Sequence, residues 1–247
     1  MNSMASKFDD TLPAWPAWVA SSDARSLSSA TRAIQVNGIV KEYRGPAGLN
    51  RVLDGISFSV RSGEKIAILG RNGSGKSTLV KIIGGVESPT AGLVTRGLSL
   101  SWPIAFSGGF HTGMTGLDNI RFIARIYGVP AEDAIAMVES FAELGRLLKM
   151  PVKTYSSGMR ARLAFGLTLA VDFDCFLIDE VIAVGDQRFQ RKCYEELFIK
   201  RCDRGMILVS HDPSIIRNYC NKALVLKAGR GRVFDDLELA LEIYATL

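Results

Sequence analysis

Residues Gly70 to Ser77 read "GRNGSGKS", a G-x-x-x-x-G-K-[ST] spacing whose residue types suit the holding of a phosphate chain. Gly70, Gly73 and Gly75 permit positive φ and close backbone approach, so successive N–H groups can curl around the phosphates. Lys76 supplies a point charge for the β- and γ-phosphates. The Ser77 hydroxyl is an oxygen ligand of the kind Mg²⁺ prefers. A glycine-rich turn with an incidental lysine is the plain alternative. The apolar run "KIAILG" before the loop and the helical run "STLVKIIGG" after it weigh against that alternative.

A pair of carboxylates, Asp179 and Glu180, ends a second apolar run, "CFLIDE". Ligands of open α/β sheets bind beyond the carboxyl ends of the strands. There Asp179 would hold the Mg²⁺ shell, and Glu180 would orient or deprotonate an attacking water. His211 closes a third run, "MILVSH", within reach of a γ-phosphate or of the water. An acidic strand end that caps a neighbouring helix, and a structural histidine, are the plain alternatives. The upstream phosphate loop tips the reading toward chemistry. A second anion site then needs explaining. "YSSGMRARL", from Tyr155 to Leu163, reads as a helix start, with Ser and Gly before a basic run that has few helix breakers.

These groups need a scaffold of buried strands. "GISFSV" alternates, with Ile56, Phe58 and Val60 on one face. The three apolar runs read as strands buried on both faces. Helical stretches such as "GLDNIRFIARIYG" and "AEDAIAMVESFAEL" lie between them, and Asp212-Pro213 suits a helix entry. The expected fold class is α/β with a mostly parallel sheet.

The 247 residues are 47% hydrophobic and 22% charged, ordinary for a globular protein. No apolar run approaches the roughly 18–20 residues that span a bilayer. The net charge of +5 comes without a block of like charges. That reads as a mixed surface, with no nucleic-acid partner expected. Cys175, Cys193, Cys202 and Cys220 show no C-x-x-C pairing and read as reduced, packed thiols. Residues 1–32 read as a flexible N-terminal extension. Its Trp15 and Trp18 pack on the body or touch a partner or a membrane surface.

The ordered set "GRNGSGKS", "YSSGMRARL", "CFLIDE", "AVGD" and "VSHD" resembles the nucleotide-binding subunit of ABC transporters. The resemblance covers about residue 33 to residue 247, the expected ATPase domain. It implies a mostly parallel core sheet, an antiparallel β subdomain and an α-helical subdomain at about 116–165. It also implies ATP and Mg²⁺ as ligands and a head-to-tail homodimer, in which "YSSGM" completes the partner copy's ATP site. By motif matching, Ser156 would contact the γ-phosphate, Gly158 would let backbone approach, and Asp186 would sit at the dimer seam. Tyr43 would stack on adenine. Arg71, Asn72, Ser74 and Thr78 complete the phosphate-binding set.

The chain departs from the family pattern at Ser157 and Met159 of the signature. It also has no glutamine between Gln35 and Gln187, where the family places its Q-loop, and His111 is a candidate substitute. "SWPIAFSGGF", "TGLDNIRF" and "DEVIAVGDQRFQRKC" look like ATPases that export capsular polysaccharides. That implies a peripheral subunit on the cytoplasmic face of the inner membrane, with an integral membrane permease and periplasmic or outer-membrane export proteins as partners. Export of O-antigen or teichoic acid is the alternative within the family. A soluble ABC ATPase acting on ribosomes or DNA is the alternative from another class, but such proteins usually carry two cassettes or a long coiled-coil insertion.

Overall fold

The computed structural model describes residues 32–46, 48–104, 110–179 and 186–247. Residues 1–31 of the expected extension, with Trp15 and Trp18, lie outside the described residues, as does Glu180.

Two sheets form. Strands β1 (Ala33–Gly45), β2 (Gly48–Arg61) and β4 (Ala91–Arg96) make an antiparallel sheet in the order β2-β1-β4. Strands β3 (Lys65–Gly70), β5 (Cys175–Asp179), β6 (Gly205–Val209), β7 (Lys222–Lys227) and β8 (Arg230–Phe234) make the second, in the order β5-β6-β3-β7-β8. Its first four strands are parallel and β8 is antiparallel. The α/β expectation with an antiparallel subdomain holds.

The continuous apolar runs exist because the parallel strands are covered on both faces. Ile66, Ile68, Leu177, Ile207, Val209 and Leu224 pack with Ile34, Val36, Ile56 and Val60 of the antiparallel sheet. Helix α1 (Lys76–Ile83) adds Leu79, Val80, Ile82 and Ile83 to that layer. The alternate residues Ala67, Leu69, Phe176, Ile178, Met206 and Leu208 face a second core built with the remaining helices. Each fully buried branched or aromatic side chain contributes about 1.5–3 kcal/mol, so both layers resist displacement of the strand ends.

The helical layer runs through α2 (Gly116–Tyr127), α3 (Ala131–Ala142) and α4 (Ser157–Ala170). Thr115 caps α2, its hydroxyl accepting from the Asp118 N–H at 3.1 Å. Gly128 ends that helix in the left-handed conformation. In α4 every residue from Leu163 to Leu169 is buried, whereas its N-terminal turn emerges from the core. Gly166 brings α4 against α3; a Cβ there would lie 3.3 Å from a Val138 methyl. Helices α5 (Gln187–Tyr194), α6 (Pro213–Tyr219) and α7 (Leu237–Ala245) follow α4 in the chain, and short 3-10 turns lie at Gly145–Lys149 and Val152–Thr154. Among those residues, no helix is long and apolar enough to cross a membrane.

Candidate functional site

The carboxyl ends of β3, β5 and β6 meet at one place. Ile68 is in register with Val209, and Val209 with Asp179. Gly70 therefore leaves the sheet beside the end of β6, and Asp179 stands one strand further on. A cavity of about 330 Å³ opens there, lined by Val52, Asn72, Gly73, Gly75, Lys76, Ser77, Thr78, Asp179 and Val209. Seven of these nine belong to the set expected from the sequence.

The loop backbone has the form a phosphate cradle requires. Gly73 has φ +83° and Gly75 has φ +101°, conformations that side-chain-bearing residues rarely adopt. A Cβ on Gly73 would meet nothing within 4 Å among the described residues, so that position opens outward. A Cβ on Gly75 would instead lie 2.7 Å from a Leu53 methyl. The two glycines thus serve different ends, an open rim and a tight seat against β2. The first N–H groups of α1 have no acceptor within the helix and point their positive ends at the loop.

Lys76 is buried, at 8% exposure. Its Nζ donates to the carbonyl oxygens of Gly70 at 2.6 Å and Arg71 at 3.1 Å. The buried Ser74 hydroxyl has no hydrogen-bond partner among the described residues. An orphaned hydroxyl and a buried ammonium at a cradle of N–H groups are matched by an anion. Ser77 and Asp179 both line the cavity. A hydroxyl and a carboxylate are hard oxygen donors, the set that suits a Mg²⁺ that keeps several of its waters.

Tyr43 lies on β1, at 40% exposure, outside the residues that line the cavity. Its hydroxyl donates to Glu87 Oε1 at 2.6 Å, and Lys41 Nζ lies 5.0 Å from its ring centroid. The bond to Glu87 pushes the phenol's pKa up, with Thr78 acting against it. Thr78 is a cavity-lining residue, so the ring stands at the cavity's edge.

His211 follows the end of β6. Its Nδ1 is 2.6 Å from the Tyr244 hydroxyl on α7, and it is exposed. It does not line the cavity wall. His111 is exposed too; its Nδ1 accepts from the Gly113 N–H at 3.2 Å. The His111 backbone is clamped by the buried Asn119 side chain, which accepts from the His111 N–H at 2.7 Å and donates to its carbonyl at 3.0 Å.

The signature segment is placed elsewhere. Ser156 is the N-cap of α4, its hydroxyl accepting from the Met159 N–H at 3.2 Å. Tyr155 is buried and donates its hydroxyl to Leu147 O at 2.6 Å. Neither Ser156 nor Gly158 lines the cavity. Asp186 caps α5, accepting from the Phe189 N–H at 2.8 Å, and pairs with Arg162 of α4 at 2.9 Å. The Phe189 N–H, more than Arg162, holds this carboxyl below its usual range. The pair ties the start of α5 to α4 within one chain.

Sequence reasoning missed several supporting residues. Val209 was within its reach, because it ends an apolar run beside Asp179. Val52 carries no signal, since it is one apolar residue in a strand. Glu87, Arg162 and Tyr244 touch their targets only through the tertiary fold.

Comparison with known proteins agrees with this geometry. The ABC transporter family model matches residues 53–183. The chain is 54% identical over 211 residues to the ATP-binding protein BexA of Haemophilus influenzae, covering 85% of this chain and 97% of the relative. It is 56% identical over 214 residues to the capsule polysaccharide export ATP-binding protein CtrD of Neisseria meningitidis serogroup B, covering 87% and 99%. Among solved structures, the dimeric post-hydrolysis state of the ATP-binding cassette MJ0796 bound to ADP and phosphate has the same fold. There the TM-score is 0.68 and the identity 21%, over 81% of this chain and 97% of that one.

Proposed function

This chain belongs to the ABC transporter family, and from that premise we propose that it is the ATP-hydrolysing subunit of an exporter of capsular polysaccharide. The export relative at 56% identity supports this choice of cargo.

The observation that carries the mechanism is the split between the two anion sites. The cavity offers the phosphate loop and Asp179, while the capped start of α4 with Ser156 and Gly158 lies outside its wall. A site that needs both must draw the second from another copy. In a head-to-tail homodimer, each copy's Ser156 hydroxyl and the backbone at Gly158 meet the γ-phosphate held by the other.

Within one copy, the Lys76 ammonium and the loop N–H groups hold the β- and γ-phosphates. Ser77 and Asp179 would hold Mg²⁺, which when bound neutralises charge shared between those phosphates. Glu180 orients the attacking water and accepts its proton. His211 reaches the γ-phosphate once the seam closes. Tyr43 stacks on adenine, its ring fixed by Glu87 and Lys41. Positioning and electrostatics carry most of the acceleration in such transfers.

Cleavage breaks the continuous phosphate chain bridging the copies, and the seam opens. Helices α2 to α4 pass that motion to an integral membrane permease. The subunit works at the cytoplasmic face of the inner membrane, and the polymer is lipid-linked. Periplasmic and outer-membrane export proteins carry it onward.

Removing the chain from its native cell tests the assignment. Surface polysaccharide should be lost and polymer should accumulate inside, with export restored by the wild type but not by Lys76→Ala. Unchanged surface polymer would overturn the cargo assignment.

A further inference from the structure

Helix α7 is fastened at both ends over the nucleotide side of the sheet. At its start, Arg217 of α6 grips Glu238, with Nε donating to Oε1 at 2.9 Å and Oε2 at 3.2 Å and Nη2 to Oε2 at 3.0 Å. In its middle, Ala240 and Leu241 are buried in the core. Beyond its last turn, Leu247 O accepts from Arg71 Nη1 of the phosphate loop at 2.9 Å. Tyr244 is therefore held in place relative to both the loop and the end of β6. Its hydroxyl lies 2.6 Å from His211 Nδ1, and the two rings are nearly coplanar in orientation, 24° apart.

We propose that Tyr244 is a positioning residue for His211: its hydroxyl donates to Nδ1 and thereby sets the neutral ring as the Nε2–H tautomer, the form that can donate to a phosphate oxygen. The inference rests on the reading of His211 as a γ-phosphate contact. A neutral imidazole has one donor and one acceptor nitrogen. A phosphate oxygen only accepts. If Nδ1 carried the proton, Nε2 would turn a lone pair toward the γ-phosphate and repel it. A phenol hydroxyl is a better donor than acceptor, so the Tyr244 hydroxyl 2.6 Å from Nδ1 favours the ring that carries its proton on Nε2. The hydrogen bond also stops rotation of the ring, which stands exposed at a strand end.

The test has two arms. The chain contains only two histidines, so ¹⁵N-histidine labelling of the full-length protein gives two ring spin systems, with His111→Gln assigning them. His211 should show a protonated Nε2 and a bare, hydrogen-bonded Nδ1, and Tyr244→Phe should return a mixture of tautomers. An Nδ1–H ring in the wild type would overturn the proposal without reference to any variant. In steady-state ATPase assays, Tyr244→Phe should lower kcat about tenfold, the worth of one hydrogen bond to a charged or developing-charge contact, with KM for ATP unchanged. In a His211→Ala background the same substitution should have no further effect. Additive losses, or a raised KM with kcat intact, would show a packing role and overturn it. His211→Ala with full activity would sink the reading of the histidine itself, whatever the tautomer.

Discussion

Lys76 Nζ lies 2.6 Å from the Gly70 carbonyl oxygen, so the lysine that opens helix α1 also reaches back to the end of strand β3. Its charge is buried within its own loop, in the wall of the cavity. Lys76→Ala removes that charge and the bridge together. A hydrogen bond to a charged group is worth about 1.5–3 kcal/mol, so ATP affinity should fall at least tenfold. Titration of nucleotide into the purified variant measures it, and wild-type affinity would count against the phosphate assignment.

Glu180→Gln should separate binding from turnover. The amide keeps the shape of the side chain and loses the basic oxygen. General-base assistance accounts for about 10²–10⁴ in rate, so ATP should bind normally while hydrolysis falls by that order. The closed dimer should then accumulate with ATP. Ordinary turnover would place the base elsewhere.

Tyr43→Ala should weaken ATP binding about tenfold, the scale of base-on-aromatic stacking, and Tyr43→Trp should retain most of it. Affinity for inorganic triphosphate, which has no base, should be the same in both variants and the wild type. A loss of triphosphate affinity in Tyr43→Ala would show that the ring supports the loop instead.

Glu87 links the same ring to pH. Partial burial raises its carboxyl, but hydrogen bonds from Tyr43 and Lys41 outweigh that effect and leave it below its ordinary value. A depressed folded-state value adds stability above the unfolded value near 4.5, and the gain is lost as pH falls through the folded one. Glu87→Gln should therefore melt below the wild type at neutral pH, with the gap closing under acid. A gap independent of pH would mean that the carboxylate's charge contributes nothing.

What could be read in advance depended on how local each signal is. The phosphate loop was legible because glycines at fixed spacing between an apolar strand and a helix encode their backbone conformation in place. Asp179 was legible because a carboxylate ending a buried strand has one direction to point. The N-cap at Ser156 was legible for the same local reason. Strand order was not: Leu100 and Ile104 pair alongside β5, at Cys175 and Ile178, and no local pattern states which distant segments meet. Tyr244 was likewise hidden, an aromatic on an amphipathic helix 33 residues from the histidine it touches. Tyr43 and Asp186 drew their roles from the family resemblance, and the bonds to Glu87 and Arg162 that hold them emerged only in three dimensions.

The central claim is that each ATP is closed by two copies, and paired variants test it most directly. Lys76→Ala and Ser156→Phe, each in a Glu180→Gln background and each carrying a different fluorophore, should both fail to pair with themselves on adding ATP. Mixed together they should associate, because one of the two composite sites then has an intact Lys76 from one copy and an intact Ser156 from the other. ATP-dependent energy transfer in the mixture alone is the predicted result. No transfer in the mixture, while wild-type Ser156 and Lys76 copies in the same background pair normally, would contradict closure across the seam.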